Sequence, residues 1–176
     1  FMFDALSTFE RKNPGAIVEA FIQAFGKSHP DILLVIKFSN SHHYPRQREE
    51  FKALAAQCQS VLLIDGHLMK KEVDALIYNC DCYVSLHRAE GFGLTMAEAM
   101  YFGKPAIATA YSSNTEFMNV GNSFLVKYDL VPITEDIGPY KIGNIWAQPN
   151  IEHAAALMHY VFHNYQQAKL VGARAS

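Results

Sequence analysis

Between Ser85 and Thr109 the chain reads S-L-H-R-A-E-G-F-G-L-T-M-A-E-A-M-Y-F-G-K-P-A-I-A-T, an order of residue types that leaves few folds open. An apolar strand runs into a short polar loop. The loop carries a carboxylate, Glu90, and then a Gly-Phe-Gly turn. A helix follows over Leu94 to Phe102, with a second carboxylate, Glu98, about one turn in. Gly103-Lys104-Pro105 supplies the glycine and proline that stop a helix. Ala106 to Thr109 reads as the next strand. Strand, helix and strand in so short a span predict a parallel pair joined by a right-handed crossover.

The chemistry of this stretch points to an anionic ligand that also bears hydroxyls. Two glycines at a strand-to-helix junction let backbone N–H groups come close to a ligand. The helix N-terminus behind them carries unpaired donors and a partial positive charge. Together they form a place for a phosphate or diphosphate. Glu90 and Glu98 would repel phosphate. They are suited instead to accept hydrogen bonds from hydroxyls, as a sugar nucleotide offers.

The flanking chain repeats the alternation. Phe1 to Leu6 reads as a strand interrupted by Asp4, and Ser7 to Asn13 as a polar loop with adjacent cations, Arg11 and Lys12. Pro14 opens a helix with Ile17, Val18, Phe21, Ile22 and Phe25 inward, and Gly26 stops it. Ile32 to Phe38 is a continuous apolar strand containing Lys37, typical of a strand covered on both faces. Helices are expected at Arg46 to Gln59 and Lys70 to Asn79, strands at Val61 to Ile64 and Cys82 to Leu86. Asn114 to Val120 reads as a short helix and Ser123 to Val126 as a strand. Val131 to Gln148, with Pro132, Gly138, Pro139 and Gly143, reads as an irregular excursion. Ile151 to about Leu170 reads as a long final helix, kinked or divided.

The prediction is an α/β, three-layer, Rossmann-like domain with a parallel sheet of about six strands. Residues 1–176 are expected to form one domain, with 150–176 a C-terminal helical extension. In such folds ligands bind at the carboxyl ends of the strands. That edge would gather Ser7 to Asn13, Lys37, Asp65 to Met69, His87 to Thr95 and Ala110 to Glu116.

Composition removes several alternatives. A net charge of −2 argues against a nucleic-acid partner. No apolar run reaches the roughly 18 residues of a membrane span. No signal peptide is visible, and Phe1 starts directly on a strand-like run, so the chain reads as a piece of something longer. Three cysteines, Cys58, Cys80 and Cys82, read as reduced thiols of a cytoplasmic protein. Cys80 and Cys82 stand too close for the usual zinc or redox spacing, and His42-His43 lack a third ligand, so no metal is expected. No G-x-G-x-x-G follows a strand, which argues against a NAD-dependent oxidoreductase.

At Glu90-Gly-Phe-Gly-Leu-Thr-Met-Ala-Glu98 the sequence resembles the E-x7-E signature of retaining glycosyltransferases of the GT-B fold, family 4, also called glycosyl transferases group 1. The likeness extends to Gly103-Lys104-Pro105-Ala106-Ile107-Ala108-Thr109, to N-S-F-L-V at Asn122 to Val126, and to Trp146-Ala147-Gln148-Pro149-Asn150 with the helix after it. It covers nearly the whole chain.

The resemblance implies that Glu98 binds the nucleotide ribose and Glu90 the donor sugar. It implies that the backbone of Gly91, Phe92, Gly93, Leu94 and Thr95 holds the diphosphate and sugar, and that a basic pair, here Lys12 and Arg11, neutralises the leaving diphosphate. Charge-assisted contacts of that kind are strong and require no metal. Glu116 falls where the family often has a glutamate, and Lys37 stands at the same edge within reach of the nucleotide. Many family members carry Gly-Arg after the first strand and Lys five residues later; here Ser7 takes the arginine's position, and either Arg11 substitutes for it or this branch uses a different arrangement.

The resemblance further implies the C-terminal, donor-binding half of a two-domain cytoplasmic enzyme of polysaccharide biosynthesis. The donor would be a UDP- or GDP-sugar, with no further cofactor. The acceptor domain, and any peripheral membrane contact, would belong to a missing N-terminal part, and the domain alone would transfer nothing. The other readings are a non-catalytic nucleotide-sugar-binding or assembly module of the same shape, and an epimerase or phosphorylase.

Overall fold

The apolar runs become short parallel strands, and the periodic stretches between them become the helices that cover both faces. In the computed structural model, which describes residues 1–175, the order is β1 (Met2–Asp4), α1 (Phe9–Lys12), α2 (Pro14–Phe25), β2 (Leu34–Ser39), α3 (Pro45–Ala55), β3 (Val61–Asp65), α4 (Lys70–Asn79), β4 (Tyr83–Ser85), α5 (Leu94–Tyr101), β5 (Ala106–Thr109), β6 (Phe124–Val126), β7 (Tyr128–Pro132), β8 (Ile145–Pro149), α6 (Ile151–His163) and α7 (Tyr165–Gly172). Short 3-10 turns lie at Ala5–Ser7, Ser41–His43 and Ser113–Glu116.

The expected six parallel strands are present, but they do not form one sheet. Strands β1, β2 and β3 pair in one parallel sheet and β4, β5 and β6 in another. At the seam the edge of β1 is met by a side chain: Met2 N–H donates to the Tyr83 hydroxyl at 3.2 Å. Both β1 and β4 are only three residues long, which leaves little backbone to build a ladder there. The registers Phe38↔Asp65 and Ser85↔Ala108 bring the carboxyl ends of the strands to one side.

Two apolar layers hold the helices on. On one face Phe3, Phe9, Phe38 and Phe51 meet Ile17, Val18 and Phe21 of α2 and Met158 and Val161 of α6. Phe3 and Phe38 stack at 5.5 Å, and Phe9 meets Phe3 edge-on at 5.2 Å. On the other face Ile77 of α4 and Met96, Ala99 and Met100 of α5 pack over Tyr83, Ala106 and Ala108. Burying each large apolar side chain contributes about 1.5–3 kcal/mol, so these layers dominate the stability. A cavity of about 610 Å³ opens at the amino ends of the strands, walled by Phe1, Phe21, Phe25, Leu34, Leu76 and Ile77 among others.

Four local expectations are corrected. The strand at Phe1 to Leu6 shortens to Met2–Asp4, because Asp4 caps the following turn by accepting from Leu6 N at 2.9 Å. The loop at Ser7 to Asn13 winds into α1, with Thr8 as its cap at a φ of 63°. Val131 to Gln148 is a hairpin rather than an irregular excursion. Strands β7 and β8 pair antiparallel, with Val131 opposite Trp146, and Pro132 and Pro149 sit at strand ends, where prolines are tolerated. Asn114 to Val120 forms only the 3-10 turn Ser113–Glu116. The final helix divides at Asn164 into α6 and α7.

No helix among the described residues is long and apolar enough to cross a membrane. The cysteines are free, with Cys58 buried, and burial pushes the thiols of Cys80 and Cys82 up.

Candidate functional site

A second cavity, about 330 Å³, opens at the carboxyl ends of the strands. Its wall includes Lys12, Lys37, Glu90, Phe92, Gly93, Leu94 and Thr95. Most of the residues singled out in the sequence thus share one space, although β1, β2, α1 and α5 contribute them separately.

The centre of the site is an ion pair. Lys12 Nζ donates to Glu90 Oε2, and Arg11 Nη1 lies 3.5 Å from Glu90 Oε1. Gly91 N donates to the same carboxylate at 3.1 Å. Arg11 is tied to the backbone, donating to Ser7 O at 2.9 Å and Ala89 O at 3.1 Å. All three charged side chains are at most 15% exposed. Burial alone would raise the Glu90 carboxyl; Lys12 and Arg11 outweigh it and hold the group below its ordinary value. Burial also lowers Lys12, against the pull of Glu90. Lys37 is 9% exposed, and burial lowers its ammonium while Asp4 opposes the shift.

The loop carrying Glu90 is fixed from both sides. Arg88 N donates to Arg11 O at 2.8 Å, and Arg88 O accepts from Ala147 N of β8 at 3.0 Å. The Arg88 guanidinium bonds Gln148 and Glu10 O and lies 5.0 Å from the centre of the Trp146 ring. Arg88 and Trp146 therefore brace the loop and do not line the cavity.

His87 is fully buried beneath the same loop. Its Nε2 faces two oxygens, Tyr111 O at 3.0 Å and Asn114 Oδ1 at 3.1 Å, so that nitrogen carries the proton. Nδ1 accepts from the Ser85 hydroxyl at 3.0 Å. Burial lowers the ring's pKa and keeps it neutral. The histidine links β4 to the chain after β5 and does not reach the cavity.

Gly93 sets the entry into α5. Its φ of 92° is left-handed, and a Cβ there would run into Met96 Cε. The backbone angle favours glycine, with Met96 having to shift for any side chain, and the first N–H groups of α5 begin at the cavity wall.

Glu98 lies one turn further along α5, outside the cavity wall. Its Oε1 accepts from Lys70 Nζ at 2.9 Å, and Lys70 also pairs with Asp74. Lys70 begins α4, directly after Gly66 to Met69, so Glu98 faces that loop. Glu116 ends the turn Ser113–Glu116, exposed and apart from the cavity. Its neighbour Phe117 does approach the site, packing on Phe92 at 5.3 Å. Among the described residues no group of acidic, histidine or cysteine side chains could hold a metal ion.

Sequence reasoning missed two contributors. Lys70 reads only as the first residue of a helix. Tyr83, whose hydroxyl lies 2.7 Å from Thr95 Oγ1, reads as one more apolar strand residue. Arg88 falls within the His87 to Thr95 segment expected at the ligand edge, and it braces the loop there instead of lining the cavity.

The model of the family described as glycosyl transferases group 1 matches residues 7–175. No curated protein sequence matches the chain. Among solved structures, the C-terminal domain of a glycosyl transferase group 1 family protein, LpcC, from Francisella tularensis is similar at 18% identity and a TM-score of 0.70, over 99% of this chain and 81% of that one. A glycosyltransferase from Rickettsia africae shares 20% identity with a TM-score of 0.70, over 94% of this chain and 38% of that one. HepE from Anabaena, solved in complex with UDP-glucose, shares 16% identity with a TM-score of 0.66, over 94% of this chain and 39% of that one. The chain thus spans about two fifths of the length of these last two proteins.

Proposed function

Because this chain belongs to the glycosyl transferases group 1, with the α/β architecture of GT-B glycosyltransferases, we propose that it is the donor-binding half of a retaining enzyme that transfers a sugar from a nucleoside diphosphate. One observation carries the reading: the Lys12–Glu90 pair and the glycine-led start of α5 face the same cavity. A diphosphate and a sugar need those two kinds of group side by side. HepE, of similar fold, was solved with UDP-glucose, which supports a donor of this class.

In the proposed reaction the bond between the sugar's anomeric carbon and the diphosphate oxygen breaks. The electron pair stays on the diphosphate. Lys12, Arg11 and the first N–H groups of α5 stabilise that growing charge. Glu90 accepts hydrogen bonds from sugar hydroxyls, and Glu98 does the same for the ribose. The diphosphate draws Lys12 toward itself, which frees Glu90 for the sugar. The hydroxyl of the acceptor substrate forms the new bond to the anomeric carbon and gives its proton to the departing diphosphate oxygen; a part of the enzyme outside this chain would hold that acceptor.

A thermal-shift panel of UDP, GDP, ADP and their sugar conjugates tests the reading. The expected result is stabilisation by at least one diphosphate, with no transfer by the chain alone. Folded protein that no nucleoside diphosphate stabilises would refute the donor site, and transfer by the chain alone would refute the division of labour.

A further inference from the structure

Tyr83 opens β4 with its ring buried between the sheets and α5. Its hydroxyl has two partners, Met2 N at 3.2 Å and Thr95 Oγ1 at 2.7 Å. These two contacts fix the direction of both bonds. A backbone N–H can only donate, so the Tyr83 oxygen accepts from Met2. The Tyr83 proton then goes to Thr95 Oγ1, the remaining partner. Thr95 Oγ1 accepts it and keeps its own proton for donation. Among the described residues that proton has no acceptor, neither a carbonyl one turn back in the helix nor a neighbouring side chain.

Thr95 is the second residue of α5 and forms part of the cavity wall beside Lys12 and Lys37. Lys37 is nine-tenths buried in that wall, and among the described residues its ammonium makes no hydrogen bond or ion pair, with only the charge of Asp4 acting on it from beyond contact distance. A buried ammonium without a partner and a hydroxyl left with only a proton to give call for the same thing, an anionic oxygen. Were Tyr83 replaced by phenylalanine, Thr95 Oγ1 would lose the proton that holds it as an acceptor on that side, and its own proton would no longer be committed to the cavity.

We propose that Tyr83 is a positioning residue that commits the Thr95 hydroxyl to donate to the diphosphate of the bound nucleotide. The proposal rests on the donor-site reading above and adds a residue that never touches the ligand. Its signature is selectivity: the effect of the Tyr83 hydroxyl appears with ligands that carry the diphosphate and vanishes with those that lack it.

The test is titration of wild type, Tyr83→Phe, Thr95→Val, Thr95→Ser and the double variant Y83F/T95V with UDP, uridine and inorganic pyrophosphate. Y83F and T95V are each expected to weaken UDP and pyrophosphate about tenfold and to leave uridine unchanged. T95S should bind as wild type does. The double variant should be no weaker than T95V alone, because both changes remove one and the same donation. Additive losses, or a Y83F protein that binds pyrophosphate as tightly as wild type, would overturn the proposal. If Y83F does not fold, T95V decides: unchanged pyrophosphate affinity overturns the proposal, and a diphosphate-specific loss supports it. If the thermal-shift panel selects GDP or ADP, that diphosphate and its nucleoside replace UDP and uridine; wild type that binds pyrophosphate and none of the three nucleoside diphosphates, or none of these ligands, would defeat the donor-site reading, and this proposal with it.

Discussion

Lys12 and Glu90 lie 78 residues apart in sequence, yet the lysine donates directly to the carboxylate inside the cavity. The contact joins the first helical turn after β1 to the loop after β4, across the seam between the two sheets. It unites a cation suited to a leaving diphosphate with a carboxylate suited to a sugar.

Breaking this pair from one side should cost more than removing it whole. Lys12→Met leaves Glu90 buried with the Gly91 N–H and the longer contact to Arg11, and a loss of about 1–3 kcal/mol in unfolding free energy is expected. Glu90→Gln should lose a similar amount. The double variant should recover part of either loss, since neither charge then stands alone. Urea denaturation of the four proteins measures the coupling, and strictly additive losses would show that the pair adds no stability.

The pair should also give the fold an acid-side weakness. Glu90 is held below its ordinary value, so in acid the unfolded chain binds its proton first. Its stabilising contribution is therefore complete above the unfolded carboxyl value of about 4.3 and disappears as pH falls through the lower folded value. The stability gap between wild type and E90Q should be flat near neutrality and close on acidification. A gap that widens in acid would contradict the assigned sign.

Gly93→Ala should be destabilising although it adds only a methyl group. The left-handed φ opposes it, and the terminal methyl of Met96 must move aside, so about 1–3 kcal/mol is expected from thermal unfolding. Gly91 offers a control within the same turn, because a Cβ there meets nothing within 4 Å. Equal stability of the two alanine variants would count against the turn geometry.

Lys70→Met and Glu98→Gln should separate stability from binding. Lys70 is 66% exposed, so its ion pair with Glu98 contributes little, and both variants should unfold within about 1 kcal/mol of wild type. E98Q should nonetheless weaken UDP or GDP markedly and leave the 2′,3′-dideoxy analogue unaffected. Equal losses for both nucleotides would remove Glu98 from the ribose.

Local patterns in this sequence read well, and contacts between distant residues do not. Lys70–Asn79 and Ala106–Thr109 form where their apolar spacing and stop signals place them. The Gly-Phe-Gly turn reveals its helix because Gly93 adopts a conformation that few other residues can. The hairpin of β7 and β8 was hidden because Pro132, Gly138 and Pro139 read as breakers, while the pairing that overrides them is nonlocal. The split of the sheet was equally hidden, since pairing between β1 and β4 is nonlocal; at that seam a tyrosine hydroxyl meets one backbone N–H. Within the site, residue types were legible and partners were not. Nothing near Glu98 in sequence announces Lys70, and nothing near Glu90 announces Lys12. Glu116 shows the reverse: a position suggested by resemblance alone lies on an exposed turn outside the cavity.

The most direct measurement is an NMR titration of the 15N-labelled chain with UDP and, in parallel, GDP. One of them should shift the amides of Gly91, Gly93, Leu94 and Thr95 together, with Glu98 following, and the shifts should be much reduced in Lys12→Met. Saturable shifts confined to the other cavity, around Phe25, Leu34 and Leu76, or none at all in folded protein, would contradict the donor site.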